Sequence, residues 1–175
     1  VEGAGLSEVV HTKEAKYDIL PSNIDLTAAE VGLLGMESRE YVMRSLLRGA
    51  AYDYVLIDCP PSLNILTVNA LTAANTVLIP MQCEYYALEG LSALLETIKA
   101  LRVSSNPQLD IEGLLRTMYD PRVSLSRDVS RQLVTHFGEK LFRTVIPRNI
   151  KLAEAPSHCQ PVLEYYRSYK RYRAY

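Results

Sequence analysis

The sequence predicts an α/β fold, doubly wound around a mainly parallel sheet flanked by helices. Three observations carry this. Strand-like and helix-like segments alternate along the 175 residues, the order that builds βαβ units. The run "YDYVLID", residues 52–58, is a continuous apolar stretch rather than an alternating one, as in strands covered on both faces. Three apolar runs, in "IDCPP", "LIPMQ" and "VIPRN", are each stopped by proline with polar residues next. Proline has no N–H to give a ladder. Three such strand ends opening onto one face fit the place where open α/β sheets hold ligands; ordinary strand punctuation is the plainer alternative.

The elements follow in order. Residues 17–23, "YDILPSN", form a short strand ending in a turn. Residues 25–47 read as one helix, with Thr27 and Glu30 at capping-box spacing. The strand over 52–58 comes next, then a helix over 66–74, "LTVNALTAA", and a strand over 75–81, "NTVLIPM". Leu88, Leu91, Leu94, Leu95, Ile98 and Leu101 recur at helical spacing. A strand over 110–118 precedes a helix over 125–138, with Gly138 as its C-cap. Residues 141–147, "LFRTVIP", are the last clear strand. Neither internal repeats nor low-complexity linkers interrupt the order, and the length fits one domain.

Composition bounds the chemistry. At 48% hydrophobic and 22% charged residues, the chain has material for a core. No apolar run approaches the 18 or so residues of a membrane span. The start, "VEGAGLSEVV", lacks a basic and an apolar secretory region and an initiator Met; residue 1 is expected not to be the natural start. Cys59, Cys83 and Cys159 are far apart, and His11, His136 and His158 add no ligand pattern. A disulfide scaffold or zinc site is therefore not expected, and a reducing cytosolic compartment fits. Residues 1–100 carry 6 Lys/Arg against 13 Asp/Glu, a balance of −7, whereas residues 101–175 carry 13 against 7, a balance of +6. A basic C-terminal part suits either a polyanion partner or solvated helix faces.

An apolar strand ending in an acid is also the Walker B pattern of nucleotide hydrolases. There the strand presents a carboxylate, here Asp58, which holds Mg²⁺ beside bound phosphates. Pro60 and Pro61 then impose a stiff extended exit.

Longer stretches carry a resemblance. "YDYVLIDCPPSLNILTVNALTAANTVLIPMQCEYYALEGLSALLETI", "IEGLLRTMYDPRVSLSRDV" and "VIPRNIKLAEAPSHCQPVLEY" closely resemble the ParA/Soj chromosome- and plasmid-partition ATPases, relatives of MinD in the deviant Walker A group of P-loop NTPases. The likeness covers about residues 16–165. It implies an ATP hydrolase that uses ATP and Mg²⁺, forms a homodimer on ATP binding and binds double-stranded DNA non-specifically. It further implies a ParB-like partner that stimulates hydrolysis, and a cytoplasmic, nucleoid-associated location away from membranes.

By motif, Asp58 matches the catalytic and metal-holding acid, and Pro60 and Pro61 the loop that senses the γ-phosphate. Glu84 lies in a segment resembling the ATP-sandwich interface. Met118, Pro147, Arg148 and Asn149 fall where the family surrounds adenine. Arg122 and Lys151 resemble its DNA contacts, which attract phosphate without reading bases. Strand-end packing for Met118 and solvated charge for the two cations are the plainer alternatives.

The family's opening Lys-Gly-Gly-x-Gly-Lys-Thr loop, which cradles phosphates, has no counterpart here. The following Asp-x-Asp-Pro-Gln segment is missing too, and "RAY" stands where a last helix begins in the family. Residues 1–175 are therefore expected to be a single partial nucleotide-binding domain without the phosphate-loop strand and the C-terminal helix, inactive alone. Two other readings stay open: a non-catalytic paralogue that binds DNA and partner, and a MinD-like membrane-associated positioning ATPase. The tail departs from the family. Tyr166, Tyr169, Tyr172 and Tyr175 alternate with Arg167, Lys170, Arg171 and Arg173, a pattern for stacking on single strands or for packing on the body.

Overall fold

The computed structural model describes residues 6–13 and 17–166; the tail pattern from Arg167 onward lies outside the described residues. In chain order the elements are α1 (Leu6–Val9), β1 (His11–Lys13), β2 (Tyr17–Ile19), α2 (Leu26–Leu34), α3 (Val42–Leu46), α4 (Ile65–Ala73), β3 (Thr76–Gln82), α5 (Tyr85–Ser104), β4 (Asp110–Tyr119), α6 (Ser124–Phe137), β5 (Leu141–Pro147), α7 (Ile150–Glu154) and α8 (Val162–Tyr165). They fall into two compact units. One runs to Asn75 and adds Glu96–Leu109; the other joins Thr76–Leu95 to the residues from Asp110 onward.

In the first unit, β1 and β2 pair antiparallel, with His11 opposite Ile19. The helix expected over 25–47 is broken in two. Gly32 and Gly35 weaken helix propensity there, α2 ends at Gly35, and Ser38 turns the chain through a left-handed conformation (φ 53°) before a 3₁₀ turn over Arg39–Tyr41 leads into α3. Nor does the capping box form. Asp25 is the N-cap and makes no side-chain cap bond, because its carboxylate accepts instead from Asn23 Nδ2 at 2.8 Å.

The largest departure from expectation is residues 52–58, which form no strand. Tyr54 and Leu56 are 88% and 92% exposed. A strand exists by sharing its N–H and C=O groups with a neighbour, and no described strand pairs with this run. The apolar pattern supplies side chains for a buried strand but not the ladder.

After that run, α4 is well specified. Asn64 caps it, accepting from the amides of Leu66 (3.2 Å) and Thr67 (3.1 Å). Buried polar side chains then tie the unit together. Asn69 accepts from the Met43 amide at 3.1 Å and donates to the Arg39 carbonyl at 2.8 Å. Asn106 Nδ2 donates to the carbonyls of Leu71 (2.9 Å) and Ala74 (2.8 Å), closing the C-terminal turn of α4.

The second unit contains a three-stranded parallel sheet in the order β3-β4-β5, the parallel arrangement expected. Each strand lies within a residue of its expected range. Ile79 and Met81 of β3 and Cys83 just after it join Leu91 of α5, Leu114 of β4, Val129 and Leu133 of α6, and Leu141 of β5 in one core. Leu114 is 0% exposed, and burying such a side chain contributes about 1.5–3 kcal/mol. Gly113 is there because space is not. A Cβ would stand 2.8 Å from the Lys140 carbonyl oxygen and 2.9 Å from the Phe142 ring. Gly138, the expected C-cap of α6, has φ 48°, a conformation glycine adopts without Cβ strain.

The β4–β5 register slips between Leu114 and Arg116, and Arg116 uses the irregularity. Its guanidinium donates to the carbonyls of Phe142 (3.1 Å) and Arg143 (3.3 Å) and to Ser130 Oγ of α6 (2.9 Å). The side chain thus pins sheet to helix.

Candidate functional site

Because β3, β4 and β5 run parallel, their carboxyl ends share one edge of the sheet. β5 ends on Pro147 as the sequence pattern requires, whereas β3 is not stopped by its proline: Pro80 lies opposite Leu115 and the strand continues to Gln82. That edge and the loops leaving it gather Glu84 after β3, Met118 and Arg122 around the end of β4, and Pro147, Arg148, Asn149 and Lys151 after β5. Seven of the ten expected site residues are therefore placed together. Asp58, Pro60 and Pro61 belong to the other unit, in the exposed run before α4.

The backbone at the edge is specific. Pro147 lies opposite Tyr119, and the Arg148 amide continues the contact by donating to the Tyr119 carbonyl at 3.1 Å. Met118 has φ 51° and a half-exposed side chain. A non-glycine residue in this region is strained and is enriched at functional positions. Asn149 caps α7, its Oδ1 accepting from the Lys151 amide at 2.8 Å.

Both expected DNA cations have acidic partners. Arg122 Nε donates to Asp120 Oδ1 at 3.0 Å and Nη2 to Oδ2 at 2.7 Å, while the Arg122 amide also donates to Oδ1 at 3.0 Å. These side-chain and backbone bonds from Arg122 lower the Asp120 pKa to about 2. Lys151 Nζ donates to Glu154 Oε2 at 2.6 Å and lies 5.7 Å from the centre of the Tyr165 ring. Tyr165 donates its hydroxyl proton to the same carboxylate oxygen at 3.2 Å, and His158 stacks on its ring at 4.6 Å. The Lys151 ammonium holds Glu154 below the usual carboxylate range, and Glu154 in turn pushes Lys151 up. Sequence reading selected the cations and missed Asp120 and Glu154. The signal was present as an acid two residues before Arg122 and another three after Lys151.

Among the described residues, no group of three or more His, Cys, Asp or Glu side chains is arranged to hold a metal. No described helix is long and apolar enough to cross a membrane.

An α/β unit with a parallel sheet and polar residues at its carboxyl edge has the arrangement in which open α/β folds hold ligands. The sequence matches the AAA domain family (AAA_31) over residues 1–111, and the chain belongs to that family. The chromosome-partitioning ATPase Soj of Treponema pallidum is 51% identical over 148 residues, covering 83% of this chain and 58% of that protein. The chromosome partitioning protein ParA of Caulobacter vibrioides is 47% identical over 168 residues, covering 94% of this chain and 63% of that protein. Among solved structures, cobyrinic acid a,c-diamide synthase from Mycobacterium smegmatis, with bound ADP and magnesium, is 35% identical with a TM-score of 0.75. The match covers 96% of this chain and 69% of that one. The chain spans about six-tenths of the length of the curated relatives it matches.

Proposed function

We propose that the chain is the larger part of the nucleotide-binding domain of a ParA/Soj-type DNA-segregation ATPase. The observation that carries this is the convergence of Glu84, Met118, Pro147, Arg148 and Asn149 on one sheet edge, where open α/β sheets bind nucleotides. The partition ATPases among its relatives support it. In this reading the two units belong to one domain that binds ATP and Mg²⁺, dimerises on ATP, binds duplex DNA without sequence preference and is stimulated by a ParB-like partner at the nucleoid in the cytoplasm.

The residues fit the base end of a nucleotide. Half-exposed Met118, held out by its left-handed backbone, offers a thioether to a purine face, and Arg148 and the Asn149 side-chain amide nitrogen bring donors to its rim. Asp58, an exposed single carboxylate, fits magnesium, which one carboxylate holds together with water and phosphate oxygens rather than in an all-protein cage. Pro60 and Pro61 keep the loop after Asp58 stiff, and Glu84 would face the second protomer. When bound, the metal supplies charge neutralisation at the transferring phosphoryl group. The residues present contain no glycine-rich loop with a lysine to grip the phosphates, so the 175-residue chain alone is expected not to turn over ATP.

Steady-state hydrolysis in the protein at its full natural length, with duplex DNA and a ParB-like partner added, tests the reading. Asp58→Ala should remove about 10³-fold or more of the activity with the melting transition intact. Hydrolysis by the 175-residue chain, lost in Asp58→Ala, would overturn the expectation that it lacks the phosphate grip. DNA and partner binding with no response to ATP would instead indicate a non-catalytic paralogue.

A further inference from the structure

Arg122 and Lys151 do not stand bare. Asp120 occupies the Nε–Nη2 edge of the Arg122 guanidinium, the same two-donor edge that matches a phosphate. Glu154 takes the Lys151 ammonium at 2.6 Å. Each pair is neutral as a unit, so each cation offers a polyanion much less than its formal charge.

The two sides of the Asp120–Arg122 pair are unequally anchored. Asp120, its side chain 20% exposed, is also held by the Arg122 backbone amide, whereas the Arg122 side chain is 88% exposed. Glu154 is tethered by the Tyr165 hydroxyl of α8. Asp120 is therefore the fixed point of its pair and the Arg122 side chain the part free to swing away, while Lys151 and Glu154 are comparably exposed and share Tyr165.

We infer that Asp120 and Glu154 are latches on the DNA-binding surface: each holds its cation back, and duplex DNA binds by exchanging carboxylate for phosphate at Arg122 and Lys151. This rests on the reading that those two cations contact DNA. Solvent-exposed ion pairs are weak enough for the exchange, corresponding to a factor of about 1.5 to 5 per pair. Asp120 and Glu154 are positioning residues in this scheme, not DNA ligands. The paired state lowers non-specific affinity to a level from which the protein releases readily.

The test uses the protein at full natural length with ATP, fluorescently labelled duplexes of two unrelated sequences, and anisotropy titrations across a potassium chloride series. Asp120→Asn removes the charge and keeps an oxygen for the Arg122 amide; Glu154→Gln is its counterpart. Glu139→Gln, in the exposed turn over Gly138–Lys140, controls for loss of one negative charge on the same unit. Asp120→Asn and Glu154→Gln should each tighten binding about 1.5- to 5-fold. The log–log salt slope should stay close to that of wild type, because the same two phosphate contacts are made in each complex, and Glu139→Gln should change neither affinity nor slope. Weaker binding in Asp120→Asn or Glu154→Gln, with wild-type melting, overturns the inference, because the acids would then be orienting the cations for phosphate. Unchanged affinity overturns it as well. Arg122→Glu with Lys151→Glu separates the two layers of the argument. If this double variant loses DNA while the acid variants match wild type, the DNA reading stands and the latch falls. If it binds as wild type does, the DNA reading falls and takes the latch with it.

Discussion

The unit carrying the parallel sheet buries a continuous apolar cluster, from Ile79 and Met81 through Leu114 to Leu133 and Leu141. The other unit also buries Leu71, Ile98, Leu101 and Leu109, but much of its sealed surface is polar: Thr67, Asn69, Thr72, Ser105 and Asn106. There the hydrogen bonds from Asn69 and Asn106 hold helix ends and loops in place, and the apolar run at 52–58 lies outside. Tyr54 and Leu56 face solvent while Asn106 is buried. Hydrophobic side chains alone therefore do not place a segment inside. A β-run enters a core only when a neighbouring strand takes its backbone polar groups.

The largest expected effect tests this contrast directly. Leu114→Ala should destabilise the chain by about 2–5 kcal/mol, because a sealed leucine leaves a cavity. Leu56→Ala should stay within about 0.5 kcal/mol. Denaturant melts of the two variants check it, and a Leu56→Ala loss of several kcal/mol would mean that residues 52–58 are a buried strand after all. Next in size is Gly113→Ala. Ordinarily alanine is the better residue inside a strand, but here the new methyl meets the Lys140 carbonyl and the Phe142 ring. A loss of about 1–3 kcal/mol is expected, with relief when Phe142→Leu is added; the four melts of that cycle measure the coupling.

The smallest effect is electrostatic. Asp120 has a pKa of about 2 in the fold against an ordinary 3.8. A depressed carboxylate stabilises the fold above its ordinary value, and that contribution is lost as pH falls through the folded one. Wild type should thus melt slightly above Asp120→Asn at about pH 6, and the difference should close on acidification toward about pH 2. Because the pair is exposed, the gap should be small; a gap that widens on acidification would contradict the pairing.

Much of the sheet was legible in the sequence. β3, β4 and β5 have apolar runs of strand length, with proline ending β5 alone, and helices α5 and α6 show their repeats plainly. The parallel order then brings the motif residues from Glu84 to Lys151 to one edge. What was not legible depends on partners rather than on local pattern. The run at 52–58 carries the signature of a buried strand, yet no residue within it specifies whether a neighbour is present. The break at Gly35 was hidden by strong helix formers on both sides, although the two glycines were in view. Asp120 and Glu154 escaped notice because a search for cations that attract phosphate does not look for the acids that hold them.

The parallel order of β3, β4 and β5 also has a consequence in time. Thr76 pairs with Asp110 and Leu114 with Leu141, so the registers join residues 34 and 27 positions apart. Neither pairing is reached by a tight turn. The chain must close a loop that includes a whole helix before the first ladder bond forms, at an entropic cost borne ahead of any gain from packing. Helices such as α4, capped by its own Asn64, can form within their own turns while the sheet waits on these long closures. Folding of this unit should therefore be governed by the search for two distant registers, and the interval before they are found is when its apolar strands stand open to other chains.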